Sequence, residues 1–68
     1  MMKKIQLNGQ PRDIPESFSL AQLLHHLTVN SQQVAVSKNL EIVVHSELAY
    51  TLIEEGDEIE IFHAVGGG

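Results

Sequence analysis

A chain of 68 residues with a net charge of -5 and no cysteine has room for one domain and excludes disulfide staples and thiolate metal clusters. Its basic residues, Lys3, Lys4, Arg12 and Lys38, are scattered, which argues against nucleic acid as a partner because phosphate binding needs clustered cations. No apolar run approaches the roughly 18 residues that span a membrane. The opening Met1-Met2-Lys3-Lys4-Ile5 also lacks the apolar stretch of a signal peptide, so a cytoplasmic protein with no membrane partner is expected.

The 43% hydrophobic content fits a folded globule. A domain of this size buries only about 60% of its unfolded surface and rarely encloses a substrate pocket. The chain is therefore expected to be acted upon rather than to catalyse.

From Lys3 to Asn8 polar and apolar residues alternate, the period of a half-buried strand, and Asn8-Gly9 follows as a hairpin turn signal. Pro11 to Pro15 reads as a second, short strand, demoted to an edge by its prolines. Between Ser17 and Leu27 the period changes. Leu20, Leu23, Leu24 and Leu27 fall on one helical face. Ser19 and Gln22 have capping-box spacing, and Phe18 and Leu23 have that of a hydrophobic staple. Val29-Asn30-Ser31 is expected to end the helix. Val34 to Ser37 reads as a buried strand, and a turn at Lys38-Asn39 leads to another at Glu41 to Val44. His45 to Tyr50 reads as a loop with one helical turn. Glu54-Glu55-Gly56-Asp57 reads as a turn, and Glu58 to His63 alternates as the last strand.

The predicted order is ββαββ, an α+β domain over 1–65 with a glycine tail at 66–68. The helix must cover one face of a single mixed sheet of four to five strands, because nothing else buries its leucines. A crossover through the helix lets the first and last strands lie side by side at the sheet centre. That arrangement is the β-grasp, or ubiquitin-like, fold.

The tail Val65-Gly66-Gly67-Gly68 begins its glycines three residues after the last predicted strand. Glycines contribute no packing, but an arm without Cβ atoms can thread a narrow tunnel and bring backbone close to phosphates and nucleophiles. A carboxylate is inert to nucleophiles at neutral pH. ATP can convert it to an acyl-adenylate that sulfur or nitrogen attacks, and a bulky last residue would hinder both steps.

Glu55-Gly56-Asp57-Glu58-Ile59-Glu60-Ile61-Phe62 followed by Val65-Gly66-Gly67-Gly68 resembles the sulfur carrier of thiamine biosynthesis, the ThiS family. Leu7-Asn8-Gly9, Leu20-Ala21-Gln22-Leu23-Leu24 and Val34-Ala35-Val36 match the same pattern, which covers essentially the whole chain. The resemblance implies a β-grasp carrier that is not itself an enzyme and holds no permanent cofactor. It implies an adenylating enzyme of the ThiF type that uses ATP to activate the Gly68 carboxylate. Sulfur from a cysteine desulfurase or persulfide relay then yields a thiocarboxylate, and thiazole synthase takes that sulfur into the thiazole ring. The family's Gly-Gly end falls on Gly67 and Gly68, with Gly66 as spacer. The small subunit of molybdopterin synthase, usually longer, has a similar fold and ending. A β-grasp interaction module without tail chemistry is the third reading.

If Ile59 and Ile61 face the helix, alternation puts Glu58, Glu60 and Phe62 on the open face of the sheet. Phe62, Glu60 and Val65, beside the tail, are therefore the candidate docking residues. His25, His26, His45 and His63 lack zinc-site spacing and read as solvated. Asp57, Glu58 and Glu60 read as turn and strand-face residues rather than an acid–base pair. Ser19 reads as a helix cap and not a nucleophile.

Overall fold

The computed structural model describes residues 1–63. Strands β1 (Met2–Leu7) and β2 (Gln10–Pro15) form an antiparallel hairpin that closes with Leu7 opposite Gln10. The turn residues Asn8 and Gly9 have φ of 50° and 81°, the pair of positive values that a type I′ hairpin requires.

Helix α1 spans Leu20–His26. The Ser19 hydroxyl accepts from the Gln22 N–H at 3.1 Å, and the Gln22 side chain accepts from the Ser19 N–H at 2.9 Å. This is the reciprocal capping box that the spacing predicts. The helix stops earlier than expected. Leu27 is the C-cap and Thr28 turns left-handed at φ 60°, so the leucine period runs one residue past the helix that it marks. A short 3₁₀ turn, Ser31–Gln33, then leads into the sheet.

Strands β3 (Val34–Lys38) and β4 (Glu41–Val43) form a second hairpin. Its turn residues Asn39 and Leu40 again have positive φ, 52° and 71°. The stretch His45–Tyr50 is a six-residue 3₁₀ helix, more than the single turn expected. Strand β5 covers Glu58–His63, as the alternation predicts. The order is therefore ββαβββ: each of the five strands read from the sequence is present, and the order ββαββ undercounts them by one.

The five strands are ordered β2-β1-β5-β3-β4. β1 and β5 are parallel neighbours, with Gln6 opposite Glu58 and Leu7 opposite Ile59, and β5 pairs antiparallel with β3 along its length. The first and last strands thus meet inside the sheet, as expected, and the proline-bearing β2 lies at an edge. On one face Ile5, Ile14, Val34, Val36 and Ile59 pack with Leu20, Leu23 and Leu24 of α1 and with Leu48 and Ile53. The mixed sheet with one main helix on one face is a β-grasp fold. No helix among the described residues is long and apolar enough to cross a membrane.

Candidate functional site

Strand β5 is the last described element before the tail. Ile59 is fully buried and Ile61 packs at the margin of the core. The period of two then puts Glu58, Glu60 and Phe62 on the opposite face. Phe62 is 46% exposed there, opposite Ala35 of β3, and Glu60 is half-buried opposite Ser37. Two of the candidate docking residues therefore share the open face with the end of β5. Val65, Gly66, Gly67 and Gly68 lie outside the described residues.

The open face holds further apolar surface that sequence alone did not single out. Ile42 of β4 lies opposite Ser37 and is 65% exposed. Leu40, at the adjoining turn, is 82% exposed. Its signal was present in the sequence: a leucine at the second position of a turn that favours glycine. With Gln6, Gly9, Glu58 and Glu60 it lines a shallow concavity of about 440 Å³. The surface is apolar near Phe62 and Ile42 and carboxylate-bearing at Glu58 and Glu60, which suits a partner that is apolar with basic flanks.

Two turn asparagines grip β5. Asn39 accepts from the Glu58 N–H at 2.9 Å through its side-chain oxygen and donates to Asp57 at 3.0 Å through its side-chain nitrogen. At the other flank, the Asn8 side-chain oxygen accepts from the Ile61 N–H at 2.8 Å. Asp57 is more than a turn residue. It is 7% exposed, accepts from the Glu54 N–H at 2.8 Å and faces the Lys38 ammonium at 3.7 Å. Such a bonded buried carboxylate holds the entry to β5.

Among the described residues no three His, Asp or Glu side chains converge as a metal-binding group. His25 and His26 are exposed, as expected. His45 is exposed as well, and its Nε2 lies 3.0 Å from the Val34 carbonyl. Because a carbonyl only accepts, the hydrogen sits on Nε2. Ser19 is buried and engaged in its cap.

A family model described as the ThiS family matches residues 5–68. The chain belongs to the ThiS family. The crystal structure of a thiamine biosynthesis protein (ThiS) from Geobacter metallireducens superposes with a TM-score of 0.85 at 29% identity, covering 96% of this chain and 99% of that one. The solution structure of a thiamine biosynthesis protein from the same organism gives a TM-score of 0.77 at 31% identity, with 96% and 87% covered. A thiazole synthase of Paramagnetospirillum magneticum is 42% identical over 65 residues, 96% of this chain. The ThiS-family chain spans only 20% of that relative's length. An uncharacterized protein, ycf40, of Porphyra purpurea is 38% identical over 64 residues, covering 94% of this chain and 90% of that one. The family resemblance and the β-grasp expectation are both borne out.

Proposed function

We propose that this ThiS-family chain is a sulfur carrier whose Gly68 carboxylate is adenylated and converted to a thiocarboxylate that donates sulfur to the thiazole ring of thiamine. The observation that carries the reading is the family match, which runs through residue 68 and so includes Gly66-Gly67-Gly68. The chemistry is divided between proteins. An adenylating enzyme of the ThiF type uses ATP and releases pyrophosphate as the carboxylate becomes a mixed anhydride with AMP. The terminal sulfur of a cysteine persulfide attacks that anhydride and AMP leaves; a second thiol then cleaves the resulting acyl disulfide, releasing the thiocarboxylate as a new disulfide forms. The carrier contributes the terminal carboxylate, a thin arm in Gly67 and Gly66, and a body for its partners to hold. It is a co-substrate and keeps no cofactor of its own.

The open face is the proposed docking surface. Phe62 serves as the apolar anchor, and Glu60 meets a basic group on the partner. Val65 extends the contact toward the tail. Thiazole synthase is the proposed sulfur acceptor. Support comes from relatives described as thiazole synthase, in which a segment resembling this chain is part of the same polypeptide. Joining two modules in one chain raises the effective concentration of one for the other.

ATP–pyrophosphate exchange with the adenylating enzyme of the same host tests the reading. Full-length chain should support exchange, and chain lacking Gly68 should not. Exchange that survives the deletion would overturn the assignment of the reactive group. The pathway has its own test: loss of the protein should create a thiamine requirement and leave molybdenum cofactor intact.

A further inference from the structure

Strand β5 outruns its parallel neighbour. β1 pairs with it only at Gln6–Glu58 and Leu7–Ile59, then turns away at Asn8 and Gly9. The last main-chain bond across this seam is Asn8 N–H to the Ile59 carbonyl at 2.8 Å. A continuing β1 would next offer a carbonyl to the Ile61 N–H. Instead the Asn8 side-chain oxygen takes that hydrogen at 2.8 Å. The left-handed conformation of Asn8, φ 50°, sends the main chain into the turn and leaves the side chain beside β5. The amide thus replaces the ladder where the ladder ends. It holds the strand two residues before His63, the last residue of β5.

We infer that Asn8 is a positioning residue for the carried carboxylate: its clamp on Ile61 fixes the direction in which β5 delivers the residues beyond it. The inference rests on the carrier reading above. Asn39 provides the contrast, because it grips β5 at Glu58, the end remote from the tail. If the clamps were merely structural, losing either would have the same consequence. If Asn8 positions the tail, only its loss disturbs the reaction at the terminus, where small misplacements are costly.

Asn8→Gly keeps the positive φ that the turn requires and deletes the acceptor. Asn8→Asp restores an acceptor at the same reach. The chains to compare are wild type, Asn8→Gly, Asn8→Asp and Asn39→Gly, at a temperature where circular dichroism shows all four folded. Amide exchange at Ile61 should quicken about tenfold in Asn8→Gly and return toward wild type in Asn8→Asp. In exchange with the adenylating enzyme, Asn8→Gly should lower kcat about tenfold and leave KM within about twofold, with Asn8→Asp rescuing kcat and Asn39→Gly leaving it unchanged. Unchanged Ile61 exchange in Asn8→Gly would overturn the clamp. Faster Ile61 exchange with wild-type kcat, or an equal kcat loss in Asn39→Gly, would overturn the positioning role. A wild-type chain that the enzyme does not activate would instead overturn the carrier reading and with it the positioning role, with the Ile61 comparison still deciding the clamp.

Discussion

The Asp57 carboxylate accepts hydrogen bonds from the Glu54 N–H and the Asn39 amide and faces Lys38, all while 7% exposed. Truncation to alanine leaves two donors and an ammonium without their acceptor, so Asp57→Ala should cost about 2–3 kcal/mol, read as a lower urea midpoint. Leu40 presents the opposite case. An L-residue at φ 71° is strained, and this side chain is 82% exposed. Leu40→Gly should therefore raise stability by about 0.5–1 kcal/mol in the same titration. Phe62 is half exposed and outside the core. Its replacement by alanine should change stability by less than about 1 kcal/mol while raising KM for the adenylating enzyme about tenfold.

At the scale of elements, helix α1 has only seven residues, too few to persist without tertiary packing and caps. Ser19→Ala removes one arm of the capping box and should lower stability by about 1 kcal/mol, measured by thermal unfolding. The helix, its cap and β5 were legible because their signals are local: leucines three and four apart, a serine three before a glutamine, strict alternation at Glu58 to His63. The end of the helix was not, because Leu27 satisfies the apolar period while Thr28 already breaks the backbone. The role of Asn8 was half legible. Asn8-Gly9 announces a turn, yet its side chain serves a strand 53 residues away, which no local pattern encodes. Phe62 and Glu60 on the open face followed from alternation, whereas Ile42 and Leu40 joined them only once β4 was placed at the edge.

For the whole molecule, a domain of this size has a few kcal/mol of net stability, and its core is one cluster around Ile5, Leu23, Leu24, Val36 and Ile59. A cavity at Leu23 costs about 2–5 kcal/mol, so Leu23→Ala should leave a substantial unfolded fraction at 37 °C by circular dichroism. The same core holds β5 between β1 and β3, so the stability of the sheet depends on this one strand. The reading of this protein as a carrier depends in turn on the chemistry at Gly68. The most direct test is the intact mass of the chain after incubation with its adenylating enzyme, ATP, a persulfide donor and a thiol reductant. The account predicts a gain of about 16 Da, one oxygen replaced by sulfur, located on Gly68 and absent from chain lacking that residue. An unchanged mass, or the same gain in the truncated chain, would contradict it.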